Sequence, residues 1–407
     1  MTRNRVERRC VLFIGGYELA DAERQHQRFV RELGRFERTW NLRASAGPMR
    51  DEDGAIGAWT VETQGPNWRV ETDYRLLRWD DFVAQDRARP GWIRLPAGIL
   101  ALADFIASGT LFRYFAANWR YALFFLYPVL IVAGFAALGL ATGFMVARLP
   151  IPGAPLAGLA AAGAVLVLLF VFGGRALQLS YLLDDWIFAR DFARRRRPGI
   201  DARLDRFARE LSERLRDPHY DEVLLAGHSL GAPCTVAVLA RALADDPALG
   251  AGRPLKLLST GSSLLKVSLH PAAAWLREAV ARVSADARVF WVEYQALVDV
   301  INFYKTDPIR ALRLPPTGRP IVTIVRIREM LSPEAYKRFG RDFFRLHRQF
   351  VMGNERRYFY DYFMLCCGPL SFEARVADPE RAVTAFAADG SLQDTETAGS
   401  GKDRAVS

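Results

Sequence analysis

The sequence predicts an α/β protein, with a mostly parallel sheet and helices on both faces, interrupted by a two-helix transmembrane insertion. Three observations predict it. Short apolar runs of strand length alternate with amphipathic runs of helical length, which is how a parallel sheet with crossover helices reads. A glycine-flanked serine stands where one such strand gives way to a helix. Two long uncharged stretches fall between the first strands and that serine.

Taken in order, Cys10 to Ile14 is a compact apolar strand ending in Gly15, Gly16 and Tyr17, and Leu19 to Leu33 is an amphipathic helical stretch. Arg43 to Gly57 is polar and reads as a surface loop. Strands are predicted at Trp59 to Thr63 and Trp68 to Leu77, the second running into Arg78, Trp79, Asp80 and Asp81. That cluster reads as ion pairs and a packing Trp at a strand end, with a functional role as the lesser alternative.

From Tyr121 to Ala147 and from Leu149 to Gly174 there is no charged residue. Each stretch exceeds the roughly 20 helical residues that cross a bilayer core of about 30 Å. The connector Arg148 to Pro155 carries three prolines and Gly153, which suits a tight turn. Arg113 and Arg120 precede the pair, Arg175, Arg190 and Arg194 to Arg197 follow it, and the connector holds only Arg148. Basic flanks stay on the cytoplasmic side, so both ends are predicted to face the cytoplasm. Trp119, Tyr121 and Tyr127 suit the interfacial aromatic belt. Phe105 to Phe115 and Leu177 to Phe192 mix aromatics with charge, as helices on or emerging from the membrane surface do.

After the Arg run, Ile200 to Leu215 is helical in pattern and Val223 to Ala226 is a short buried strand. Helical spacing resumes from Ala232 to Leu243. Further strands follow at Leu255 to Ser259, Arg288 to Tyr294 and Ile321 to Ile327, with helices at Pro271 to Val283 and Pro333 to Phe339. Beyond Val383 the chain is mostly Ala, Gly, Ser, Thr and charge, which predicts a disordered tail. The predicted segments are 1–97 and 183–383 for the core, 98–182 for the membrane insertion with helices at about 121–147 and 154–174, and 384–407 for the tail.

The chemistry centres on Gly227, His228, Ser229, Leu230 and Gly231, a G-x-S-x-G sequence at a strand-to-helix junction. Such a turn holds its serine strained and exposed. The flanking glycines let backbones approach closely, and the new helix N-terminus aims amides at developing negative charge. A serine nucleophile needs a base, and the base an orienting acid. There are five histidines. His26 lies on the first helix, His219 at the opposite end of the sheet, and His228 inside the turn, which points it away. His270 precedes the strand that should carry the acid. This leaves His347, which follows the last strand. Asp299, just past Tyr294, is favoured as the acid because catalytic groups collect at the carboxyl ends of parallel strands; the competitor Asp307 sits in an Asp-Pro turn. Leu230 supplies one oxyanion amide. The Gly15-Gly16 turn supplies the second, from Gly16 or Tyr17, or is only a tight turn.

With Ser229, Asp299 and His347 in that chain order, the strand-to-helix elbow and the early glycine turn, the chain resembles the α/β-hydrolase superfamily, specifically its lipase and esterase-like members. The likeness covers Arg9 to about Gly34, Arg69 to Asp81 and Asp201 to about Phe350. It implies a serine hydrolase without metal or organic cofactor. The chain departs from the family at the first turn, where many relatives have His-Gly, and by carrying a two-span insertion inside the core.

Composition limits the alternatives. With 51% hydrophobic residues and 26 Phe there is material for a core and for lipid contact. The excess of 55 Lys and Arg over 45 Asp and Glu gives +10, but no nucleic-acid reader motif accompanies it, and an anionic membrane surface is the better partner. Cys10, Cys234, Cys366 and Cys367 form neither a disulfide framework nor a metal site. The sequence therefore predicts a multi-pass inner (cytoplasmic) membrane enzyme that cleaves carboxylic esters of lipid or lipid-like substrates. A catalytically silent scaffold on the same fold is the alternative; a transporter has little support, since neither span carries an intramembrane charge.

Overall fold

The computed structural model of the chain describes residues 5–340 and 342–393. In chain order the main elements begin with β1 (Arg8–Ile14), α1 (Ala22–Trp40), β2 (Arg43–Ala46), β3 (Arg50–Glu52), β4 (Ile56–Gly65) and β5 (Trp68–Leu77). Next come α2 (Asp80–Arg87), α3 (Gly91–Ala107), α4 (Thr110–Ala117), α5 (Trp119–Phe125), α6 (Tyr127–Ala147), α7 (Ala154–Leu168) and α8 (Leu179–Ala193). The remainder comprises α9 (Ile200–Arg216), β6 (Glu222–His228), α10 (Gly231–Asp245), β7 (Leu255–Thr260), α11 (Ala274–Ala285), β8 (Val289–Ala296), β9 (Ile321–Val325), α12 (Phe343–Arg348) and α13 (Tyr362–Cys367). Two compact units divide the chain: one from the described residues up to Asp81, Pro198–Ser268 and Ala274 onward, the other from Phe82–Arg197 and Leu269–Ala273.

The first unit holds one nine-stranded sheet in the order β2-β4-β5-β1-β6-β7-β8-β9, with β3 paired to β4. From β5 to β9 every pairing is parallel; β4 runs antiparallel to β5, and β2 and β3 antiparallel to β4. Alternate residues of the central strands serve two faces. Val11, Phe13, Leu224 and Ala226 share a core with Phe29, Phe36 and Trp40 of α1 and with all of α13, while Leu12 and Leu225 are equally buried where α10 packs on β1 and β6.

Several boundaries differ from expectation, each for a local reason. The first helix starts at Ala22, because the Asp21 carboxylate accepts from the Arg24 amide at 2.8 Å, and runs on to Trp40, because Phe36 and Trp40 extend its buried stripe. The segment predicted as a surface loop, Arg43 to Gly57, contains β2 and β3. Their backbones pair with β4 although their side chains show no apolar alternation. Residues 384–393, predicted in the tail, are packed: Phe386 and Leu392 are buried and bridge antiparallel, and Trp68 Nε1 donates to the Gly390 carbonyl at 2.9 Å. The rest of the predicted tail lies outside the described residues. Cys366 and Cys367 pack in the core as free thiols, and their carbonyls accept from Thr72 and Thr63 hydroxyls. Tyr360, Tyr362 and Phe363, in an aromatic run that reads equally as core or as membrane interface, are core.

The second unit is wider than the predicted insertion, because α3 and α8 pack together around ion pairs, among them Arg94 to Asp184 at 2.9 Å. Two of its helices are long and apolar enough to cross a membrane, Tyr127–Ala147 and Ala154–Gly173. The first uncharged run breaks at Leu126, where α5, capped by Asn118, ends and Pro128 opens α6; proline fits a first helical turn but not a helix interior. Gly153, in the left-handed region at φ +77, makes the tight turn into α7. The two helices meet through small residues. A Cβ on Gly143 would lie 2.9 Å from the Ala162 methyl and from the Gly158 carbonyl oxygen, the close approach that small residues permit between helices in lipid.

Candidate active site

β6 delivers Ser229 into a left-handed conformation, φ +56, which a non-glycine residue adopts only when its surroundings impose it. Three backbone bonds impose it here. The Ser229 amide donates to the Thr260 carbonyl, and the Ser229 carbonyl accepts from the amides of Ala232 and Ser263, all at 3.1 Å. The flanking glycines are needed sterically. A Cβ on Gly227 would lie 2.9 Å from Ala232 Cα, and one on Gly231 would collide with the Ile14 and Gly15 carbonyl oxygens. Gly231 thus lets the first turn of α10 sit against the end of β1.

The Gly15-Gly16 turn lies directly against the serine: a Cβ on Gly16 would be 2.9 Å from Ser229 Cβ. Trp79, of the cluster after β5, braces this turn, its Nε1 donating to the Gly15 carbonyl at 3.0 Å. Tyr17 is buried, its ring 6.0 Å from that of Trp79. Among the described residues nothing accepts a hydrogen bond from the amides of Gly16 or Leu230. The Leu230 amide stands at the α10 N-terminus, where the helix dipole favours negative charge.

His347 comes from α12, whose start Asp342 caps by accepting from the Arg345 amide. Two short helices, Ile327–Met330 and Pro333–Phe339, fill the chain between β9 and this segment. His347 Nδ1 lies 2.8 Å from Asp299 Oδ2. Asp299 is buried; its Oδ1 accepts from the Ile301 amide at 2.9 Å and its Oδ2 from Asn302 Nδ2 at 2.8 Å. The carboxylate therefore fixes the tautomer with the proton on Nδ1 and leaves Nε2 as the acceptor. Nε2 is buried with no hydrogen-bond partner among the described residues, Ser229 included. Such hydrogen bonds commonly tighten only when substrate binds. Asp307 instead caps a short helix by accepting from the Ile309 amide at 2.8 Å.

His228 does not point away from the site, because the elbow turns it onto His347. Its ring lies 4.6 Å from that of His347, and its Nε2 donates to the His347 carbonyl at 3.0 Å. Burial, then the neighbouring His347, pushes its pKa well below the usual imidazole range, so it is a neutral donor. Gly261, φ +51 just past β7, completes the wall: a Cβ there would lie 3.0 Å from His347 Cε1. Asn302, Trp79 and Gly261 were not predicted as site residues. Gly261 left a sequence signal as the glycine after a strand, and Trp79 one as part of the cluster after β5.

The structure thus brings Ser229, His347, Asp299, Gly16, Tyr17, Leu230 and the elbow glycines to the carboxyl end of the parallel strands and leaves Asp307 apart. Among the described residues no group of three or more His, Cys, Asp or Glu is placed to hold a metal. No protein-family model, curated protein or solved structure matches this chain.

Proposed function

We propose that the chain is a membrane-anchored serine hydrolase that cleaves carboxylic esters through an acyl-enzyme. The observation that carries this reading is Ser229 in a left-handed turn within a shell of obligatory glycines, on the same sheet edge as a buried His347–Asp299 pair. Ser229 Oγ attacks the acyl carbon while His347 Nε2 takes its proton and passes it to the leaving alcohol oxygen. Water, deprotonated by the same nitrogen, then releases the acid. Asp299 stabilises the imidazolium formed in each step. The Leu230 amide, with that of Gly16 or Tyr17, holds the oxyanion.

The two apolar helices support attachment to a membrane and a substrate of lipid or lipid-like character. Arg113, Arg120 and Arg194 to Arg197 outside the helix pair, against Arg148 in its connector, support a multi-pass inner-membrane protein with the sheet unit in the cytoplasm.

A fluorophosphonate probe applied to the full chain in membranes tests the chemistry. Labelling of the wild type that disappears in Ser229→Ala is the expected result, together with a loss of ester turnover of about 10⁶-fold. Absence of labelling in the wild type would leave the silent scaffold as the better reading. Protease access in sealed vesicles tests the orientation, and cleavage of the sheet unit from the outer face would reverse it.

A further inference from the structure

Outside the helix pair α6 and α7, the second unit turns a second set of large apolar side chains outward. On α3, Trp92, Leu95, Ile99 and Ile106 recur at helical spacing on one face, and Trp92 and Ile99 are 77% and 57% exposed. Phe112 of α4, 65% exposed, and Trp119 at the start of α5 continue the pattern. The two charged residues of α3 lie on the opposite side and are paired within the unit. Arg94 Nε donates to Asp184 at 2.9 Å, and Asp104 accepts from Arg194 Nε at 2.8 Å and lies 3.2 Å from His270 Nε2. In water a surface helix puts its charges out and its apolar stripe in; here the polarity is reversed.

We infer that the outward face of α3 and α4 is seated in the acyl-chain region of the bilayer, as an in-plane element beside the spanning pair. Reversed polarity needs a surrounding medium that is itself apolar. The chain supplies continuity with that medium, since α5 ends at Phe125 and the first spanning helix begins at Tyr127, with Leu138 and Leu140 also outward on α6. At 17 residues, or roughly 25 Å at 1.5 Å per residue, α3 is shorter than a bilayer core, and both its charges fall on one side. It therefore lies along the membrane rather than through it, buried to about the 5–10 Å depth of an interfacial helix. Trp92 and Trp119 are exposed, and indole rings favour the headgroup boundary. This inference rests on the membrane reading of the helix pair and not on the serine chemistry.

The test uses the full chain in vesicles of phosphatidylethanolamine and phosphatidylglycerol. Nitroxide side chains are placed on single added cysteines at Ile99, Phe112, Leu138 and Glu62, with the unsubstituted protein as the blank for the four buried native thiols. Collision with oxygen, which partitions into lipid, is compared with collision with a water-soluble nickel chelate. The expected result is that Ile99 and Phe112 match Leu138, with oxygen collisions several-fold enriched, while exposed Glu62 of the sheet unit shows the reverse. Nickel access at Ile99 and Phe112 equal to that at Glu62, with Leu138 still protected, overturns the inference and leaves the spanning pair intact. Spin–spin broadening at Ile99, with both relaxants excluded, overturns it in favour of contact with a second copy of the chain. Nickel access at Leu138 removes the membrane reading and this inference with it. Brominated-chain lipids give a measurement without labels. The double substitution Trp92→Phe and Trp119→Phe should lower the quenched share of tryptophan fluorescence, and an unchanged share would count against lipid contact.

Discussion

The two compact units both bury aromatic side chains, but they differ in what they leave outside. In the sheet unit Trp40, Trp59, Trp291 and Phe36 go inside, and the buried Arg9 pairs with Glu222 at 2.6 Å. In the other unit Phe105, Tyr114 and Trp186 go inside too, but Trp92, Ile99, Phe112 and Leu140 face outward, and Asp184 is fully buried against arginines. A side chain goes where its surroundings cost least, so the outward apolar faces of the second unit favour apolar surroundings. It follows that the same substitution should have opposite consequences in the two units, and that buried ionisable groups in the sheet unit should carry either its chemistry or its pH dependence.

The largest effect that would break this comparison concerns the acid. Asp299→Asn should lower kcat/KM by about 10⁴-fold, because the amide no longer holds the imidazole in its reactive tautomer, while Asp307→Asn, changed only at a helix cap, should stay near wild type. Ester turnover of the two purified variants decides, and a loss confined to Asp307→Asn would move the acid. Next in size is a matched pair of surface substitutions. Leu140→Lys, on the outward face of α6, should cost about 3 kcal/mol of membrane insertion. Leu19→Lys, equally a surface leucine but on the sheet unit, should change stability by no more than about 0.5 kcal/mol. Insertion assays and denaturant midpoints measure the two, and equal effects would erase the distinction between the units.

Two smaller effects sharpen the view of the sheet unit, and they have opposite signs. Burial raises the Glu293 carboxyl to about 7, with Gln295 Nε2 donating to it at 2.7 Å. Its pKa in the folded state exceeds the unfolded value, so its contribution to stability is complete below about 4.5 and is lost as pH rises through about 7. Glu293→Gln should therefore gain on the order of 1–3 kcal/mol relative to wild type at pH 8 and nothing at pH 4. His228 is depressed instead. Its contribution is complete above about 6.5 and is lost as pH falls, so His228→Asn should flatten the decline of the denaturant midpoint between pH 7 and pH 5. An unchanged slope would place the titration elsewhere.

How far the site was legible depended on whether its signal is local in the chain. Ser229 could be found because a strained strand-to-helix turn needs Gly227 and Gly231 within two residues of the serine. Asp299 and His347 could be ranked because strand ends can be located. The sequence places His228 in the elbow but not its side chain, whose direction depends on where α12 returns, well over a hundred residues later in the chain. Asn302 and Trp79 carry no motif; their roles come from single hydrogen bonds to Asp299 and to the Gly15 carbonyl. The strands β2 and β3 and the packed residues 384–393 escaped for a related reason, since their order comes from backbone pairing and from a few buried side chains rather than from apolar periodicity.

By itself the sequence determined the features whose cause lies within a turn or a run of residues: the alternation of strands and helices, the glycine-bounded elbow at Ser229, and two uncharged helices of membrane-crossing length. Only the tertiary structure decided what meets at the elbow and which way each apolar face points. Contacts such as His228 on His347, and the inward Arg94 and Asp104 of α3, are set by chain segments that come together only when the whole sheet or the whole helical unit has formed.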